Sequence, residues 1–512
     1  MSNSRTKNSF LTLATSGARQ LLTILLTFAS RTIFIQILGA EYLGLNGLFS
    51  NILSLLALSE LGIGSAIAFY LYKPLANKNY ERIKALMKFY KQCYMVVGVV
   101  IITLGSLLMP FLPNLVNLPQ GVHVNLYLVY FLFLLNTASS YLCFAYKQAL
   151  VIANQEQYKI EKINIVFCFI NCLTDIIILI IFRSFIIYLL AKLLLVITKN
   201  YITAMKIDRE YHYITEEVED KISILEVKKF FKDTFNVALF RVGSTFFNAT
   251  DNIIISVWLG TIVVGYYSNY TMIIGQIVLI IGIIIRSFVA GIGNVIAEEH
   301  LEKQFDIYKQ LDFLVYVVSL FCTVYLFQLL NSFIMIWIGH NNIEYVLNQC
   351  VVFFLCINFY FDSTTQVPNS FREASGNFNT GKNLQLIGGL FNVILSIILC
   401  KMFGLSGVLA ATVLGKGLIT VTPFIMGISK DVFGFSKSRL LMRYYFNMFV
   451  MLCILGINWM VCYGVHMKGI TSFIIEFVLS SIITTIGIFL FFYNKPEMKI
   501  MLSRIRYVLN KE

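Results

Sequence analysis

The sequence predicts an all-α polytopic membrane protein, with about fourteen transmembrane helices in two six-helix lobes and two further helices appended at the C-terminus. Three observations carry this. Of 512 residues 58% are hydrophobic and only 13% charged, and the mean hydropathy is +0.76. Soluble chains are about 45–50% apolar and about 25% charged. Apolar runs of about 20 residues, each long enough to cross a bilayer as a helix, recur along the whole length. Lys and Arg are confined almost entirely to alternate connections between those runs.

In chain order the runs lie near 10–38, 46–72, 88–113, 122–146, 160–182, 184–207, 231–258, 265–297, 312–338, 345–371, 384–403, 405–429, 442–465 and 470–494. The first is too long for a signal peptide, lacks a small-residue cleavage site, and reads as an uncleaved membrane helix. Residues 1–207 form the N-terminal lobe and 208–230 a cytoplasmic linker. Residues 231–430 form the second lobe, 431–494 the appended pair, and 495–512 a basic amphipathic tail on the inner membrane surface. The hydrophilic stretch around the linker, 206–232, reads as an interfacial helix followed by a connection. A short internal echo marks the two lobes: Leu38-Gly39 then Gly44 leads out of the first run, and Leu259-Gly260 then Gly265 out of the seventh. Repeated bundles around a cavity are a common transporter plan. Pro368 and Pro423 fall late in the tenth and twelfth runs, where a missing N–H kinks or ends a helix.

With the N-terminus inside and the charged ends of the runs counted with the connections they adjoin, 31 of the 40 Lys and Arg lie in cytoplasmic segments, three in external ones (Arg183, Lys401, Lys468) and six within the runs. This is the positive-inside pattern, and it places both termini in the cytoplasm of a multi-pass plasma-membrane protein. The net charge of +13 therefore tracks topology and does not indicate nucleic acid. The external connections are short and carry Glu41, Glu344, His123, His340 and His466 singly. An outer-face enzyme needs clustered acids, bases or metal ligands, so the sequence argues against catalysis and against a bound metal. The ten cysteines are scattered through apolar runs as small fillers.

With the charged ends of the runs left to those connections, eleven charges remain inside the runs: Arg19, Arg31, Glu60, Asp175, Lys192, Arg241, Asp251, Arg286, Asp362, Lys416 and Glu476. Each costs a few kcal/mol at a helix centre, so most should face protein or a water-filled cavity. Arg19 and Arg31 stand twelve residues apart, roughly 18 Å along a helix and about 120° around it, and cannot share a face. Arg31 either snorkels to the outer interface or lines a cavity; Arg19 and Arg286 read as cavity-facing. Arginine's planar fork grips phosphate oxygens bidentately, which suits a diphosphate headgroup. Glu60, Asp175, Asp251 and Asp362 have two readings: they pair with those arginines and hold the lobes in shape, or one carries H+ or Na+ and couples transport to a gradient. Asp251, with Asn248 and Asn252 within a turn, is the best coupling candidate. No other cofactor is implied.

The stretch ILGAEYLGLNGLFSNILSLLALSELGIGSAI (37–67) and the following YKPLANKNYERIKALMKFYK (72–91) closely resemble polysaccharide flippases of the Wzx type. These belong to the multidrug/oligosaccharidyl-lipid/polysaccharide exporter (MOP) superfamily. GLSGVLAAT (404–412) resembles the family's hairpin between helices 11 and 12. The resemblance implies a two-lobed bundle that moves undecaprenyl-diphosphate-linked oligosaccharide from the inner to the outer leaflet of the bacterial cytoplasmic membrane by alternating access. It also implies work beside a polysaccharide polymerase and glycosyltransferases in capsule or lipopolysaccharide biosynthesis. In that family basic residues of helices 1, 2, 7 and 8 line a cationic cavity. Arg19, Arg31, Arg241 and Arg286 match by helix, whereas helix 2 carries Glu60 where a basic residue is often found.

Two other readings compete. A multidrug/cation antiporter of the same fold would want an acidic cavity, and the intramembrane arginines argue against it. A membrane-embedded polymerase would want an outer domain and a catalytic cluster, and neither is visible in the sequence.

Overall fold

The computed structural model of the protein describes residues 2–57, 63–117, 124–217, 222–339, 343–375, 377, 380–464 and 469–509. Glu60 lies outside the described residues, as do the side chains of Arg241, Asn248 and Arg286. In chain order the α-helices are α1 (Ser2–Leu56), α2 (Ile63–Ala76), α3 (Tyr80–Leu108), α4 (Leu112–Leu115), α5 (Leu126–Leu142), α6 (Gln148–Ala153), α7 (Tyr158–Phe182), α8 (Phe185–Glu210) and α9 (Ile224–Leu259). They continue as α10 (Thr261–Glu298), α11 (Leu301–Ile334), α12 (Gln349–Thr364), α13 (Gln366–Ala374), α14 (Lys382–Leu414), α15 (Thr422–Gly427), α16 (Lys437–Tyr463), α17 (Ile470–Phe492) and α18 (Pro496–Leu509). The described residues are otherwise turns, bends, irregular connections and 3₁₀ and π-helical segments.

Ten stretches are long and apolar enough to cross a membrane, and Leu126–Leu142 and Ala249–Leu259 are shorter apolar helices. Asn383–Val432 carries two of the runs seen in the sequence, and Ala14–Leu56 carries the first run and the start of the second, which ends in α2, so the described residues of all fourteen runs fall largely on helix. The protein is a multi-pass, all-α membrane protein. Helix is the expected answer in lipid, where each backbone N–H and C=O must be satisfied within its own segment.

The chain forms two compact units, Met1–Gly265 and Tyr266–Glu512. In the first, α1 packs along α7 and α9, α3 along α5, and α5 along α8. Gly39 (φ 86°) breaks α1 between two spans, and Gly260 (φ 96°) separates α9 from α10. A positive φ is cheap for glycine alone. The partner glycines of the echo, Gly44 and Gly265, face each other. A Cβ on Gly44 would lie 1.8 Å from the Thr261 carbonyl oxygen, and one on Gly265 would lie 2.2 Å from the Ala40 carbonyl oxygen. The repeated LGxxxxG is thus a matched pair of backbone contacts. Asn117 fastens the same corner: its carbonyl accepts from the Thr261 N–H (3.1 Å) and hydroxyl (3.0 Å).

The linker differs from the expected interfacial helix. α8 runs on without a break to Glu210 and is followed by a 3₁₀ turn, His212–Thr215. Polar pins explain the extension: Lys147 binds Asp208 (2.6 Å), Lys159 binds Glu210 (2.9 Å) and the Tyr211 hydroxyl donates to Glu156 (2.5 Å). α9 then starts on a capping box in which Ser223 and Glu226 satisfy each other's backbone N–H. Glu226 also pairs with Arg82; the Arg82 hydrogen bond and those from Ser223 hold its carboxyl down to about 2.

In the second unit α11 is the central helix, packed by α12, α16, α17 and α18. The helical path breaks at Thr365, ahead of Pro368, and around Pro423 it passes through π-helical turns at Gly415–Val421 and Ile428–Val432. Wide turns leave room where proline removes a hydrogen bond. The tail forms α18 and its first turn is docked: Glu497 is buried and accepts from Arg443 (2.7 Å), which also binds Asp312 (3.3 Å).

Candidate functional site

Three helices of the first unit each turn one polar face to a common space. On α1 the face is Thr27, Ser30/Arg31 and Phe34; on α7 it is Cys168, Asn171/Cys172 and Asp175; on α8 it is Tyr188 and Lys192. All follow the i, i+3, i+4, i+7 spacing of one helix side. Beyond the Gly39 break α1 adds Leu43 and Asn46. The cavity they enclose has a volume of about 260 Å³.

Its charged centre is Asp175, 5% exposed. One carboxylate oxygen, Oδ2, accepts from Lys192 Nζ (2.7 Å) and from the Ser30 hydroxyl (2.7 Å). Charge-assisted bonds of this length are the stronger kind. Lys192 also sits 5.4 Å above the Tyr188 ring, which Phe34 meets edge-on at 5.4 Å. Arg31 contributes a guanidinium to the wall. The lining thus holds two cations and one carboxylate with amide and hydroxyl groups, a surface that suits a polar ligand bearing negative charge.

Of the residues singled out in the sequence, Arg31, Asp175 and Lys192 come together here. Arg19 does not line this cavity; its Nε lies 2.5 Å from Glu161 Oε2 on α7. Asp362 in α12 pairs with Lys416 in the π turn, at 2.8 and 3.0 Å. The basic partners of Asp175 and Asp362 are lysines in place of the expected arginines. Asp251 is 2% exposed in α9, beside the buried Asn252. Glu476 in α17 accepts from Ser472 (2.7 Å) and Gln328 (3.3 Å).

No family model matches the sequence, and no curated protein matches it. Solved structures do. The lipid II flippase MurJ in an inward closed conformation superposes with a TM-score of 0.66 at 16% identity, covering 95% of this chain and 99% of that one. An inward-facing multidrug resistance MATE family transporter of the MOP superfamily gives 0.65 at 13%, covering 82% and 95%. A MOP superfamily transporter from Pyrococcus furiosus Vc1 gives 0.56 at 12%, covering 83% and 95%. The chain has the MOP superfamily fold.

Within this MOP fold, sequence reasoning missed the neutral part of the lining: Ser30, Asn46, Asn171 and Tyr188. Spacing was the available signal. Asn171 and Tyr188 each precede a singled-out charge, Asp175 and Lys192, by one helical turn. It also missed Glu161 as the partner of Arg19, because that carboxylate was counted with the cytoplasmic connection.

Proposed function

We propose that the protein flips undecaprenyl-diphosphate-linked oligosaccharide from the inner to the outer leaflet of the bacterial cytoplasmic membrane, by alternating access, for surface polysaccharide biosynthesis. The observation that carries this reading is the cavity in which Arg31 and Lys192 stand over polar walls inside membrane-spanning helices. A diphosphate needs such donors, and the Asn and Tyr groups suit sugar hydroxyls. The MOP fold agrees with it, and the likeness to the lipid II flippase takes in more of this chain than that to the MATE transporter. In this reading Arg19, Arg241 and Arg286 extend the diphosphate route, Asp251 is the candidate for H+ or Na+ coupling, and the polymerase and glycosyltransferases of the pathway are the partners.

The test is transfer of a fluorescent undecaprenyl-diphosphate oligosaccharide across proteoliposomes at matched protein levels. Arg31→Gln should slow transfer about tenfold or more, the loss expected from removing a hydrogen-bonding charge. Full-rate transfer by that variant, or none by the wild type, would sink the reading. A second reading, a cation antiporter, is favoured by one observation: a buried carboxylate, Asp175, lies in the cavity. Uptake of a lipophilic cation by the same vesicles, lost in Asp175→Asn, would select it instead.

A further inference from the structure

We propose that the second unit carries a separate site for the phosphate headgroup of an anionic glycerophospholipid, in a 380 Å³ pocket between α11, α16 and the α17–α18 junction. This goes beyond the transported substrate and concerns other residues. The pocket lies at the end of these helices that the lysine and arginine distribution assigns to the cytoplasm, where the leaflet is rich in anionic lipid.

Four cations line it: Lys309, Arg439, Arg443 and Lys495. They are not equivalent. Arg443 is committed, with Asp312, Glu497 and the Lys309 carbonyl taking its guanidinium at 3.3, 2.7 and 3.2 Å. Lys309 binds Asp306 at 2.7 Å. Arg439 and Lys495 instead rest on rings, and among the described residues neither is paired with a carboxylate. The Arg439 guanidinium lies 4.1 Å from the Phe435 centroid and 5.0 Å from that of Phe305, and Lys495 Nζ lies 5.4 Å from that of Phe446. Phe305 and Phe435 are themselves locked edge to face at 4.7 Å. The guanidinium is thus held in place with its N–H edges open, which lowers the entropy lost on gripping a phosphate.

The wall below is apolar and exposed. Met442 is 71% and Phe446 41% exposed, and both follow Arg439 on one face of α16. They sit about 4.5 and 10.5 Å further along the helix. A cationic mouth above an apolar wall matches a phospholipid, headgroup over acyl chain, whereas a free phosphate would use only the mouth.

The experiment uses the full chain in nanodiscs of phosphatidylcholine with phosphatidylglycerol added, and reads retained lipid by native mass spectrometry. Wild-type protein should keep phosphatidylglycerol in preference to phosphatidylcholine. Arg439→Gln/Lys495→Gln should weaken that retention about tenfold. Met442→Gln/Phe446→Gln should weaken it with both cations intact. Equal retention by wild type and the charge variant overturns the proposal. So does protection of the wild type against heat by inorganic phosphate as strong as that by phosphatidylglycerol, because the site would then take free phosphate.

Discussion

Asp175 and Lys192 show how a charge survives within a membrane span. The carboxylate is 5% exposed and receives two donors on one oxygen. Removing one member leaves the other buried and unpaired, which costs about 3–5 kcal/mol in a dry interior. A quarter of the Lys192 side chain is exposed to the cavity, so about half that figure is expected here. Lys192→Met and Asp175→Asn should each lower thermal stability in detergent. The double variant should recover most of the loss, because it leaves no orphan charge. Additive losses in the double variant would show that the pair is not coupled. Singling out these two residues was possible from sequence, since any charge in an apolar run calls for an explanation. Their pairing was less visible: a hairpin at Arg183 and Ser184 brings them together, and Ser30 reaches Asp175 from 145 residues away. No periodicity within one helix reports which other helix it faces.

At the level of elements, the paired glycines make the sharpest claim. Backbone meets backbone where Gly44 faces Thr261 and where Gly265 faces Ala40. A methyl group in either place meets a carbonyl that cannot rotate away. Gly44→Ala and Gly265→Ala should each cost about 1–3 kcal/mol or more, read as a lowered melting temperature, because the strands of chain must separate. Gly275→Ala is the control: nothing lies within 4 Å of its Cβ position in α10, so this change should be neutral or gain up to about 1 kcal/mol. A loss in the control as large as in the pair would mean that helix glycines are sensitive for another reason. The LGxxxxG echo was readable in the sequence, and its meaning came only with the contact. Conversely, the expected interfacial helix after 206 was misplaced because polarity alone does not end a helix. α8 continues to Glu210 while Lys147, Lys159 and Glu156 hold its end and the following Tyr211.

For the whole molecule, we propose the orientation from charge. The runs were legible because lipid admits few backbone solutions, and the described residues of all fourteen fall largely on helix. Boundaries within long helices were less so, since Gly39 and Gly404 turn the chain without a polar loop to mark the place. The proposed orientation rests on a different quantity: 31 Lys and Arg in the connections assigned to one side against three in those assigned to the other. The rule is statistical per loop but strong when every connection agrees. Ser184 and Ser436 are separated by seven runs, an odd number, so crossing by every run would put them on opposite faces. Cys350, exposed at the start of α12, is first replaced by serine to remove background. A cysteine at Ser184 should then react with a membrane-impermeant maleimide in intact cells, and one at Ser436 only after permeabilisation. The reverse pattern would invert the topology and move the proposed lipid pocket to the outer face. Labelling of both from the same side would mean that one apolar run does not cross, and the even spacing of the charges would need another cause.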